Sequence, residues 1–187
     1  MSLPLCAMAE PPAAVTQVCA TCHGIDGNGT TPPNLTFPKL AGLQVEYLNK
    51  QLKDFKAGKR KSVIMAPMVA SLTAEDMQAI AGYYAAQKPA PGSVNSPEIL
   101  SRGKKMHLDG DENLGVPACA GCHEVTALGV PKYPRLAGQH AEYIYQQLKL
   151  FQSGERDNDR GLPMQSVAVK LSDKDMRAVA EYLGSLK

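Results

Sequence analysis

Cys19-Ala20-Thr21-Cys22-His23 returns one hundred residues later as Cys119-Ala120-Gly121-Cys122-His123, and these two pentapeptides decide what kind of chain this is. Residues three apart share one face of a helix, so both thiols of a copy can reach one edge of a flat ring. The following histidine then lies beneath that ring, where it can bind a central metal. C-x-x-C-H is the attachment pattern of a c-type haem, and two copies predict two covalently attached haems. Cys19, Cys22, Cys119 and Cys122 would hold the porphyrins, with His23 and His123 as iron ligands. A four-cysteine zinc site brings its two C-x-x-C knuckles within roughly 15–20 residues, far closer than here. A thioredoxin-like pair needs a strand–helix–strand context, which neither segment offers, and plain disulfides leave both histidines unexplained.

The repeat extends beyond the motif and points to the second iron ligand. Lys39–Arg60 and Arg135–Arg156 share 11 of 22 positions, among them Tyr47/Tyr143, Gln51/Gln147 and Arg60/Arg156. Further along, Met65 falls opposite Met164, while Met68 falls opposite Val167. A thioether suits haem iron, so the methionine present in both halves is the expected partner of each histidine. Met68 is its competitor in the first half. Met77 and Met176 sit at helical positions among apolar neighbours and read as packing; Met106 has no counterpart. Phe37-Pro38-Lys39-Leu40 and Tyr133-Pro134-Arg135-Leu136 begin 14 and 10 residues after the axial histidines. A ligating imidazole usually gives its other ring N–H to a backbone carbonyl, and Pro38 and Pro134 can supply one in each half. The plainer alternative is a simple turn into the next helix.

The chain has 187 residues, room for one ordinary domain or two small ones. The repeat favours two: residues 10–88 and 98–187, each with one haem, joined by a Pro/Gly/Ser-rich linker at 89–97. Helices are expected near Val15–His23, over Gln44–Ala57 and His140–Ser153, and over Pro97–His107 as a leading helix of the second half. The last helix of each half opens on a capping pattern, at Thr73 and Ser172. No alternating strand pattern occurs, so the fold class is all-α. Three Phe, seven Tyr and no Trp are a thin aromatic supply for two cores, a shortage that haem would fill.

With these residues in hand, the chain resembles the class I cytochromes c, and most closely the di-haem cytochrome c4 family. The likeness rests on CATCHG with the following DGNG, on FPKLAG and YPRLAGQHAEY, on the second CAGCH and on the two Met–Leu–Ser/Thr–Asp segments. It implies two tandem class I cytochrome c domains, His–Met ligation at both irons and the proline-carbonyl bond to each axial histidine. It also implies a periplasmic electron carrier, soluble or loosely membrane-associated, and not an enzyme. Its partners would be redox proteins: a donor such as a quinol-oxidising complex and an acceptor such as a terminal oxidase. The nearest alternative is the di-haem cytochrome subunit of a dehydrogenase complex, such as flavocytochrome sulfide dehydrogenase. A di-haem peroxidase or a gas sensor needs an open iron, whereas the repeat offers methionine to both.

Charge adds exclusions. With 20 Lys+Arg against 18 Asp+Glu, a nucleic-acid binder working through a broad basic surface is not expected. No run of 18 apolar residues predicts a membrane span. Lys56, Lys59, Arg60 and Lys61, and likewise Arg102, Lys104 and Lys105, read as solvated surface more readily than as docking patches. The same holds for His107 and His140, and for the acidic insert Leu108–Pro117. Residues 3–9 look like the tail of a signal peptide, with Ala7-Met8-Ala9 as the cleavage site and Glu10 as the mature start.

Overall fold

The computed structural model describes residues 10–187, so the signal-peptide reading of residues 3–9 lies outside the described part. Each half is built on the same helices. In the first, a π-turn at Val15–Cys19 runs into α1 (Ala20–His23), followed by α2 (Val45–Lys56), α3 (Met65–Val69) and α4 (Ala74–Ala85). In the second, a 3-10 turn at Pro97–Ile99 leads into α5 (Leu100–Leu108). Then come α6 (Ala120–His123), α7 (Ala141–Ser153), α8 (Pro163–Ala168) and α9 (Asp173–Ser185). Among the described residues there is no strand, only the isolated bridges Asp111–Val116 and Val130–Tyr133. The fold is all-α, and each helix expected from the periodicity forms within a residue or two of its expected ends.

The capping signals act as the sequence indicates. Thr73 and Asp76 satisfy each other's backbone N–H groups at the head of α4, and Ser172 Oγ accepts from Asp175 N at the head of α9. The short helices that begin at or beside Met65 and Met164 were not legible in advance, because a single turn carries too little periodicity to register.

Apolar burial divides the chain in two. Val15, Leu43, Leu48, Ile80, Ala81 and Tyr84 form one core, where α2 packs on α4. Met106, Ile144, Leu148, Met176, Val179 and Leu183 centre a second, larger core, where α5 and α7 both pack on α9. Met77 is 5% and Met176 0% exposed, as packing residues should be. The α5–α9 crossing is tight at Gly103, where an added Cβ would stand 2.0 Å from the Ala178 carbonyl oxygen. That crossing corrects the reading of His107 as surface. The side chain is fully buried against Tyr182, and its Nε2 meets the Val125 carbonyl at 3.1 Å. The acidic insert is an ordered turn, tied to α5 by Asp111 against Arg102 at 3.2 Å; Arg102 also holds Asp175 at 2.8 Å.

The halves meet through polar side chains arranged with approximate two-fold symmetry. Arg60 donates to Gln51, Tyr143 and Gln147, and Arg156 donates to Gln147, Tyr47 and Gln51, at 2.7–3.4 Å. Arg60 is only 8% exposed, so it is not part of a solvated cluster. Its position near the axis turns it into the other half, where α7 offers two neutral oxygens, Tyr143 Oη and Gln147 Oε1, that a guanidinium fork can use. Tyr47 and Tyr143, a repeated pair in the sequence, bond across the same seam. His140, also expected at the surface, is half-buried and bonds to Asn28 O at 3.2 Å. The linker is strapped down: Lys39 Nζ donates to the Ala90 and Pro91 carbonyls, and Glu181 accepts from the Asn95 and Ser96 amides.

Candidate functional site

Each C-x-x-C-H motif lies on one helical turn, as the reach of two thiols to one ring edge requires. None of the four motif cysteines is paired in a disulfide. Burial raises the Cys119 pKa to about 11 and pushes Cys19 up as well. Thiols meant for zinc or for redox exchange are normally shifted the other way. These two are neutral, apolar groups at physiological pH, which suits thioether attachment and not a thiolate site.

The histidines end the two turns in matching environments. His23 is 7% and His123 5% exposed. His23 Nδ1 donates to the Pro38 carbonyl at 3.0 Å, and His123 Nδ1 donates to the Pro134 carbonyl at 2.9 Å. A carbonyl can only accept, so the proton resides on Nδ1 and the Nε2 lone pair is left for a metal. Burial lowers both imidazole pKa values, outweighing the carbonyl bond that raises them, and keeps the rings neutral. Neutral rings with one nitrogen committed to the backbone are the donor set a haem iron needs.

The proline carbonyl is brought under the histidine by a glycine. Gly29 and Gly129 sit six residues past the histidines at φ +71° and +72°, and their amides donate back to the His23 and His123 carbonyls. A Cβ on either would stand 2.4 Å from the carbonyl oxygen of Phe37 or Tyr133, just before the proline. The loop therefore closes backbone to backbone, which only glycine permits here. Phe37 and Tyr133 flank the imidazoles at centroid distances of 6.1 and 6.0 Å.

On the methionine side, Met65 opens α3 and Met164 stands at the second position of α8; both are half-buried. Met68 is 44% exposed. Corresponding apolar residues beside the motifs and the methionines are left uncovered by protein in both halves. Ile25 and Val125 are 47% and 68% exposed, and Val63 and Leu162 are 95% and 45% exposed. Large apolar side chains left exposed at paired positions beside the histidine and the methionine of each half are surface that a flat apolar group could cover.

Comparison with known proteins agrees with this geometry. The family model for Cytochrome c matches residues 12–87 and again 101–187. The chain is 41% identical over 176 residues to cytochrome c4 of Pseudomonas aeruginosa, covering 92% of this chain and 86% of that one. It is 37% identical over 180 residues to a protein of Thiomonas intermedia named thiosulfate dehydrogenase electron acceptor, covering 95% of this chain and 81% of the relative. Its structure superposes on the crystal structure of reduced recombinant cytochrome c4 from Pseudomonas stutzeri with a TM-score of 0.86. That match is 40% identical and covers 92% of this chain and 95% of the other.

Proposed function

The chain belongs to the cytochrome c family, as a di-haem electron-transfer cytochrome of the cytochrome c4 kind, and from that premise we propose how its sites work and whom it serves. Two c-type haems are attached through Cys19/Cys22 and Cys119/Cys122. When bound, each supplies a one-electron Fe(III)/Fe(II) couple. His23 and Met65 would hold the iron of the first half, and His123 and Met164 that of the second. Pro38 and Pro134 hold the histidines by their Nδ1–H groups. The reading is carried by one observation: the same buried, Nδ1-anchored histidine occurs in both halves, followed by a half-buried methionine, Met65 in the first and Met164 in the second. With a histidine and a methionine of the chain holding it, each bound iron would supply electron exchange and would have no ligand position to offer a substrate. Methionine ligation raises the potential, which suits a carrier placed late in a chain of donors.

The domains run 10–88 and 98–187, with 89–97 between them. We place the protein in the periplasm, in solution or loosely against a membrane, carrying electrons from a donor such as a quinol-oxidising complex to a terminal oxidase. A second reading has it as the partner of a dehydrogenase, and the relative named thiosulfate dehydrogenase electron acceptor favours it. Two measurements on holoprotein test these readings. A pyridine-haemochrome assay should give two haems per chain, with a near-infrared sulfur–iron band that weakens in Met65→Ala and in Met164→Ala. Reduced protein should then be reoxidised by membranes containing a terminal oxidase. One haem per chain would sink the ligation reading. Failure of reoxidation together with stable co-purification with a dehydrogenase would replace the oxidase by the second reading.

A further inference from the structure

The peptide groups that anchor the two histidines are themselves held from the opposite half. The Pro38–Lys39 peptide accepts at its oxygen from His23 Nδ1, and its N–H donates to Gln139 Oε1 at 2.9 Å. The Pro134–Arg135 peptide accepts from His123 Nδ1, and its N–H donates to Gln44 Oε1 at 3.0 Å. Each glutamine is locked in orientation by its other end: Gln139 Nε2 donates to Lys39 O at 2.8 Å, and Gln44 Nε2 donates to Leu128 O at 2.7 Å. Gln139 and Lys39 are buried, 8% and 7% exposed, so water does not compete at that bond. The arrangement is reciprocal although the sequence is not. Gln44 aligns with His140, and Gln139 aligns with Leu43, so the second glutamine reaches the equivalent peptide from one residue earlier.

An amide whose N–H is engaged carries more negative charge on its oxygen, and chained hydrogen bonds strengthen one another by roughly 10–30% per bond. A ligating histidine whose N–H meets a stronger acceptor becomes a more basic ligand, and a more basic ligand favours the ferric ion. We propose that Gln139 sets the redox balance of the His23 site and Gln44 that of the His123 site, each acting across the interface through the proline peptide. They are positioning residues, two bonds removed from the iron ligand. This rests on the reading of His23 and His123 as axial ligands. Gln139 Oε1 also accepts from His140 N at 3.0 Å, which shares its lone pairs, so its influence is no greater than that of Gln44.

Gln139→Met and Gln44→Met keep length and remove the acceptor. In an NMR-followed redox titration of the holoprotein, Gln139→Met should shift the ferrous-to-ferric ratio of the His23 site about threefold toward ferrous at fixed potential. That is about 28 mV, at about 59 mV per tenfold change for one electron. The His123 site should stay put, and Gln44→Met should do the reverse. Tyr143→Phe is the control, because it loosens the same interface without touching either peptide. A crossed pattern confined to the glutamine variants supports the assignment. Equal shifts at both sites, no shift, or the same pattern in Tyr143→Phe overturns it. Haem count and the sulfur–iron band, measured on the same samples, show separately whether the ligation reading stands. Should either variant fail to fold, amide hydrogen exchange in the reduced wild-type protein decides. Protected Lys39 and Arg135 amides support the proposal, and freely exchanging ones overturn it.

Discussion

Replacing Gly129 by alanine should strike the site harder than any ordinary turn substitution, and its cost can be worked out by comparison with Gly154. Both glycines are left-handed, at φ +72° and +78°. An alanine there costs about 1–2 kcal/mol for the dihedral alone, less about 0.4–1 kcal/mol from the stiffer unfolded chain. At Gly154 nothing lies within 4 Å of the new methyl, so the cost ends there. At Gly129 the methyl would stand 2.4 Å from Tyr133 O, 2.5 Å from the Pro134 carbonyl carbon and 2.7 Å from Arg135 N. All three are backbone atoms and cannot swing aside. Overpacking of this kind adds about 1–3 kcal/mol, giving about 2–4 kcal/mol against about 1 kcal/mol for Gly154→Ala. With a guanidinium slope near ~3 kcal/mol/M for a small domain, the unfolding midpoint of the second half should drop by about 1 M in Gly129→Ala. In Gly154→Ala the drop should be about a third of that. The displaced peptide is the one that holds His123, so the first variant should also raise the His123 site's potential while the second leaves it alone. Equal midpoint shifts in the two variants would refute the idea that the loop closes on its own backbone at Gly129.

The seam between the halves should show energetic coupling: a double-mutant cycle of Arg60→Leu and Tyr143→Phe should return about 1–2 kcal/mol in denaturant unfolding. Additive effects would mean that the 2.9 Å contact carries no weight. Acid should unfold the second half through Asp175. Burial raises that carboxyl, but the bonds from Arg102 and Ser172 and the charge of Arg102 outweigh it and hold the pKa below its ordinary value. A depressed folded pKa gives stability that is complete above the unfolded value of about 3.9. It is lost as pH falls through the folded value. Arg102→Gln should therefore flatten stability against pH below about 4, and an unchanged profile would contradict it. Protein made without haem attachment should bind a hydrophobic dye at Ile25, Val63, Val125 and Leu162, and lose that binding once the haems are in place. Equal dye binding by both forms would mean that these side chains are not the haem cradle.

What the sequence disclosed and what it hid separate along physical lines. The single helical turn of each C-x-x-C-H motif and the bonds from His23 and His123 to the proline carbonyls were legible because they depend on short spacings within one turn or one loop, which the chain carries locally. Helix ends at Thr73 and Ser172 were legible for the same reason. His107 was not, since its burial depends on how closely α5 approaches α9, and that distance is set by Gly103 against a carbonyl 75 residues away. Arg60 looked like one of a row of surface cations. Yet the repeated Tyr47/Tyr143, Gln51/Gln147 and Arg60/Arg156 were already conspicuous, and polar residues repeated on a helix face are a signal for a polar seam between repeats. Gln139 left no such trace, because the repeat register sets it opposite Leu43 and only the folded halves bring it to Lys39.

The most direct test is proton NMR of the reduced, haem-loaded protein. Ring currents should throw two methionine methyl signals far upfield, one vanishing in Met65→Ala and the other in Met164→Ala. A single such signal, or one that survives Met65→Ala because Met68 supplies it, would contradict the assignment of one sulfur from each half to its own iron.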